Sequence, residues 1–354
     1  YAFGGDNFSS AQSSPGNIIL VGATPVVLAI PSGQDGTSLD EADLLSGVVN
    51  YENQQAQLDL LPDQKRHSYF LTGRQDVAAN AEIFLEVVYS EREALGHDQQ
   101  IGRYLVVPET NAYRLLNGLF TGQGALIMGY SFASDFGPIT YDTESWTLNT
   151  VIGTTVDLPG DWLFEFYGQL GRLEEGSRVT GIPDSDALDA ALASSDLATA
   201  FNPFSDGSNT PAAVLADLVA SQAGGNDSRL WSFNGKADGP LFSLPAGEVR
   251  VALGADFRHE EFVRWNSDIS AAGVETPQGF PGRGERDAVA GFAEVFIPLF
   301  GEDNRFAGME LLEVSASLRY DRYEDIGEST NSKVGVRWSP LDGVFVRGTW
   351  GTSF

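Results

Sequence analysis

The sequence contains no cysteine, two methionines and three histidines in 354 residues. Without disulfides, a chain of this size is held by extensive hydrogen bonding or by a large core. Basic residues are also scarce, with 21 Lys and Arg against 49 Asp and Glu and a net charge of -28. Neutralising phosphates takes clustered cations, so nucleic acid is excluded as a partner. Peripheral attachment to an anionic lipid surface is excluded for the same reason. No apolar run approaches the roughly 18–20 residues of a transmembrane helix. A transmembrane β-strand takes only about 9–11 alternating residues, so this last absence leaves a strand-built membrane protein open.

His67, His97 and His259 are scattered and lack metal-ligand spacing. Carboxylate pairs are frequent only because the chain is acidic, and Gly122-Gln123-Gly124 does not join a strand to a helix. No catalytic residue, metal or other cofactor is therefore expected, and the chain reads as something other than an enzyme.

What is present is period-two alternation. Leu312, Val314, Ala316, Leu318 and Tyr320 alternate with Glu313, Ser315, Ser317, Arg319 and Asp321. The pattern resumes with Val334, Val336 and Trp338, and again with Val346 and Trp350. Such runs are β-strands with one apolar and one polar face. Upstream, residues 66–74 and 81–93 read as a hairpin, and 146–156 pairs with 162–173 across Pro159-Gly160-Asp161. Further strands are expected over residues 230–241, 248–262 and 288–299. Residues 1–60 read as a loop segment, with a capped helical turn near Asp40 and an apolar island at 18–30 that Pro25 and Pro31 make a poor central strand. About ten strands follow over residues 61–354.

Short connections alternate with long ones near 94–145, 174–228 and 263–284, the last-but-one carrying two short helical patterns. Brief turns at one end and long loops at the other are the habit of an outer-membrane barrel. The polar face keeps ionisable groups in nearly every strand. Glu82, Glu86, Glu165, Lys236, Arg250, Glu294, Arg319, Asp321, Lys333, Arg337 and Arg347 are expected to line a hydrated lumen. Asp321 is placed opposite Lys333, and Arg337 beside Arg347 with Glu313 or Glu294 between them. If the loops bind ligand, exposed aromatics such as Phe132, Phe136, Tyr141, Phe201 and Phe204 are the expected contacts. The acidic insertion with Asp184, Asp186, Asp189, Asp196 and Asp206 reads as a solvated, Asp-capped helix in preference to a Ca²⁺ site. On the residues alone, a passive porin-like channel and a soluble carbohydrate-binding β-protein stay open beside a transporter.

The run LRYDRYEDIGESTNSKVGVRWSPLDGVFVRGTWGTSF resembles the mid-barrel segment of TonB-dependent outer-membrane receptors. The pieces ATAFNPFSDGSNTP, GPLFSLPAGEVRVALGADFRHEEF and AGFAEVFIPLFG are similar to segments of the same family, in the same order. The resemblance implies an all-β fold: part of a 22-stranded antiparallel transmembrane barrel with long extracellular loops. It implies energised uptake of a scarce nutrient, a ferric siderophore, oligosaccharide or other small molecule, in the bacterial outer membrane. The implied partners are the TonB–ExbB–ExbD complex and outer-membrane lipid. The plug, TonB box and terminal strand of such a receptor have no counterpart in this sequence, which is accordingly read as a fragment cut at both ends.

Overall fold

The computed structural model of the chain describes residues 2–3, 6–7, 9–21, 25–100 and 102–353. Its main feature is an antiparallel meander of ten strands, each hydrogen-bonded to the next in chain order. They are β1 (Asp63–Ala78), β2 (Ala81–Asp98), β3 (Ile139–Leu158), β4 (Trp162–Pro183) and β5 (Val219–Leu244). Then come β6 (Gly247–Ile269), β7 (Gly282–Phe300), β8 (Leu311–Tyr323), β9 (Gly327–Leu341) and β10 (Val344–Gly351). A three-residue strand, Glu275–Pro277, pairs back onto β6. The connections at one end of the sheet run two to ten residues; at the other end three are long and one, at 324–326, is a three-residue turn.

The strands are longer than their apolar alternation. β4 runs ten residues beyond Leu173 to Pro183, and β5 begins at Val219, eleven residues before Leu230. In those extensions, for example Glu174, Glu175, Ser177 and Arg178, both faces are polar. The period-two hydrophobic signal vanishes there while the backbone ladder continues, with one register shift between Thr180 and Ile182. The connections are correspondingly shorter than expected, at residues 99–138, 184–218 and 270–281.

Register also corrects one pairing. Tyr323 pairs with Gly327 around a three-residue turn, so Asp321 lies opposite Ser329 and Lys333 opposite Ser317. The turn centres on Asp325 and not on Gly327, whose φ of +93° supplies the left-handed exit. The shift is an even number of residues, so both side chains keep their face.

Residues 9–60, expected as a loop segment, share a folded unit with the two longest connections. Five short strands form its sheet, in the order Leu45–Ser46, Val26–Ala29, Asn17–Leu20, Leu126–Tyr130, Arg103–Val107. Asn17–Leu20 is central, because Pro25 and Pro31 fall just outside the paired residues of its hairpin partner. Helices Ser185–Ala193 and Ala212–Ala216 pack onto this sheet, the first capped by Asp184, whose side chain accepts from the amides of Asp186 and Ala187. The capped turn near Asp40 is a single 3₁₀ turn closed by a capping box with Asp43.

Candidate functional site

Register assigns every wall side chain to one of two faces. On the polar face, Glu82, Thr155, Glu165 and Lys236 form one row across β2 to β5. Glu86 lies in a row with Val151, Gln169, Ser232 and Arg258. Arg250 leads a row through Phe296 and Ser315, and Glu294 one through Ser317 to Lys333. Thus all eleven charged residues expected to share a face do so.

Several of these charges are neutralised in place. The Arg319 guanidinium lies 2.9 Å from Asp321 and 3.1 Å from Asp256, reaching across the whole of β7 over Ala290. Asp238 meets both Lys236 at 3.4 Å and Arg250 at 3.7 Å. Arg337 and Arg347 are directly opposed, and Glu313 relieves the pair by binding Arg337 at 3.2 Å. Glu294, the other carboxylate expected there, sits opposite Ser317 instead.

The second face is apolar and open. Leu170 is 63% and Ile152 61% exposed, far more than a soluble wall leaves bare over so wide a surface. From the tight turns, each strand carries an apolar stretch such as Ala81 to Tyr89, nine residues, or Trp162 to Leu170, nine residues, before charge begins. A tilted strand of that length crosses an apolar slab of about 25 Å. Charge begins at Glu144 on β3, Arg172 on β4, Arg229 on β5, His259 on β6, Asp287 on β7 and Arg322 on β8. Followed through the register from β3 to β8, that onset drops four same-face positions over five strand steps, while on β2 it stands at Glu91, one position nearer the tight turns than on β3. Four positions are about 27 Å along the strands and five steps about 24 Å across. The boundary therefore runs at about 45° to the strands, the tilt of a transmembrane barrel. Aromatics gather at it: Tyr89 stacks on Trp146 at 6.4 Å, Arg172 covers that indole at 5.1 Å, and Trp231 lies 5.3 Å from His259. Both His259 and His67 thus lie on the apolar face at its charged margin.

The aromatics expected to be exposed in the loops are not. Phe132, Phe201 and Phe204 are fully buried, with Tyr130 lying edge-on to Phe132 and Phe201 at 5.2 and 5.5 Å. Phe136 stacks on Phe132 at 5.4 Å, and Tyr141 is half-buried on β3 over Gly96. Phe132, Phe201 and Phe204 lie in the core of the folded unit with Ile18, Leu105, Leu126, Met128 and Tyr130 of its short strands, and Phe136 packs against it. Of the acidic insertion, Asp184 caps a helix, Asp196 accepts from the Ala198 amide and Asp206 from that of Gly33.

A buried arginine and a half-buried carboxylate in this unit escaped sequence reading, since burial of a charge leaves no local pattern. Arg114 donates to the carbonyls of Val107, Leu119 and Phe120 at 2.8–3.1 Å. Asp135 accepts from the Tyr130 hydroxyl at 2.8 Å. Burial pushes the Asp135 carboxyl up to about 6, against the hydroxyls of Tyr130 and Ser208 that pull it down. Its folded value lies above its unfolded one, so the stability Asp135 contributes is fully present below about pH 4. That contribution, about 3 kcal/mol, is lost as pH rises from 4 through 6. Asp135→Asn is expected to flatten that dependence, as read by chemical denaturation of the unit between pH 4 and 8. An unchanged slope would assign the titration to another group.

Residues 129–354 match the family model "TonB dependent receptor-like, beta-barrel". No curated protein matches the chain. Among solved structures, one described as the RagAB peptide transporter superposes with a TM-score of 0.52 at 11% identity, over 82% of this chain and 33% of that one. The RagAB peptide importer in its "closed-closed" state gives 0.50 at 10% identity, over 82% and 33%. At such identities the likeness concerns the fold, and the chain spans about a third of the length of those structures. With the tilted apolar belt, the charged opposite face and a family match over more than half its residues, the chain belongs to the TonB-dependent receptor-like β-barrel family.

Proposed function

We propose that this chain is part of the wall and extracellular cap of a bacterial outer-membrane importer. A scarce nutrient is taken up through it with energy delivered by the TonB–ExbB–ExbD complex, and no covalent chemistry is performed on the cargo. The observation that carries this reading is the pairing of a tilted, lipid-matched apolar belt with a charged inner face. A soluble carbohydrate-binding protein has no use for a bare apolar face of this extent. The family match supports energised uptake over a passive channel. Ferric siderophores and oligosaccharides are the cargo classes to compare first, by growth under iron limitation and on a polysaccharide.

In cells carrying the full-length protein, collapse of the proton-motive force or loss of TonB is expected to cut uptake of the labelled nutrient more than tenfold. Uptake that persists would make the protein a passive pore. Recovery of the protein in the soluble periplasmic fraction would sink both barrel readings.

A further inference from the structure

A groove of about 410 Å³ crosses β1 to β4 on the outer, apolar face, at the charged margin of the belt. Two register rows of that face line it. His67, Glu91, Trp146 and Glu174 form the row nearer the belt, and Lys65, Glu93, Glu144 and Gly176 the next one out. Tyr89 closes the groove towards the belt, while Arg92 and Ser145, of the opposite parity, give its floor and carry their side chains to the inner face. Gly176 keeps the β4 end open, with nothing within 4 Å of where a side chain would begin. The groove holds the first charges of β2 and β3, Glu91 and Glu144, so it sits where lipid gives way to water. Below it the same face continues with Leu148, Ile152 and Leu170, all exposed.

Four carboxylates line this outer groove against one lysine and one histidine. Glu93 and Glu144 are directly opposed in register, which costs stability unless a cation lies between them. Lys65 reaches Glu93 at 3.6 Å, but both side chains are mostly exposed and water screens the pair. Glu174 is served by Arg172 at 3.2 Å. Among the described residues, Glu91 accepts only from the Tyr89 hydroxyl, at 3.0 Å, and Glu144 has neither a hydrogen bond nor an ion pair. The cation called for is not a metal ion, because no three acidic or imidazole side chains among the described residues converge closely enough to hold one. A quaternary ammonium finds no aromatic face either. Tyr89 of β2 and Arg172 of β4 flank the Trp146 indole from its two sides. A primary ammonium fits, since it brings its own N–H donors to the carboxylates.

We propose that this groove binds the headgroup of an amine-bearing phospholipid of the ethanolamine type from the surrounding membrane. The ammonium lies between Glu93 and Glu144 and donates to both. The phosphate faces Lys65 and His67 at the β1 end, and the acyl chains run down over Leu148, Ile152 and Leu170. Four carboxylates repel a headgroup that carries phosphate alone. This assignment rests on the membrane-wall part of the importer reading and adds a lipid partner of defined chemistry to it.

The test is native mass spectrometry of the purified full-length protein in detergent, titrated with dioleoyl phosphatidylethanolamine, phosphatidylcholine and phosphatidylglycerol. The ethanolamine lipid is expected to bind about tenfold tighter than the other two, as one charge-assisted hydrogen bond would give. Glu144→Gln is expected to remove most of that preference, and Gly176→Leu, which fills the groove, to do the same. Glu285→Gln, at the same margin on β7, is expected to leave it unchanged. Heat-modifiable mobility of each variant on gels reports that the barrel has formed. Equal binding of the three lipids by the unaltered protein would overturn the proposal, as would a preference that survives Glu144→Gln or that Glu285→Gln lowers equally. So would equally tight binding of free phosphoethanolamine, which would make the groove a site for soluble amines. Energised uptake of a nutrient by a protein that fails these tests would leave the importer reading standing and remove this lipid site alone.

Discussion

Leu253→Arg is expected to destabilise the folded wall in a bilayer by about 2–4 kcal/mol, the cost of a cation on the lipid face near the midplane. Leu253 lies on the apolar face of β6, 49% exposed, between the tight turn at Ala246 and the first charge at His259. Its row neighbours are Ala237 and Ala293, and neither offers a carboxylate. Thr155→Arg, on the opposite face between Glu82 and Glu165, gains two anionic neighbours and is expected to change stability by less than about 1 kcal/mol. Denaturant titration of full-length protein folded into vesicles reads both. Equal costs for the two would mean that the apolar face does not meet lipid.

The second large effect belongs to the folded unit. Arg114→Met keeps the length of the side chain and removes the donors serving three carbonyls in a region where Arg114 itself is 2% exposed. Each carbonyl left dry costs about 1–3 kcal/mol, so the unit is expected to lose about 3–5 kcal/mol. Glu109, 3.9 Å away and 43% exposed, adds little because water already screens it. Limited proteolysis is expected to cut within residues 99–138 of the variant while the heat-modifiable barrel band persists. Arg114→Lys should recover only part of the loss, since an ammonium lacks the planar fork that serves three fixed acceptors. Protease resistance equal to that of the unaltered protein would place the unit's stability elsewhere.

Much of the wall is legible from residues alone. Trp162, Phe164 and Phe166 alternate with Leu163 and Glu165, and one face meeting lipid makes that period-two signal strong. Gly160 fixes its hairpin, whose register is as expected from Leu158 pairing with Trp162. The signal fails where its cause fails. Beyond Leu173 both faces of β4 meet water, so nothing in the composition of Glu174 to Arg178 distinguishes strand from loop. It fails again at Phe132, Phe201 and Phe204, where three distant segments bury one another and local sequence carries no record of the contact.

The sequence by itself determined the membrane-level parts of the wall strands, the assignment of eleven charges to one face and the family. Those depend on alternation and turn chemistry, which act over a few residues. Tertiary structure decided the 45° boundary of the belt, the burial of Arg114 and half-burial of Asp135, and the meeting of Glu91, Glu144 and Gly176 in one groove. Each is a relation between strands far apart in the chain, fixed by hydrogen-bond register and by packing that no local pattern encodes.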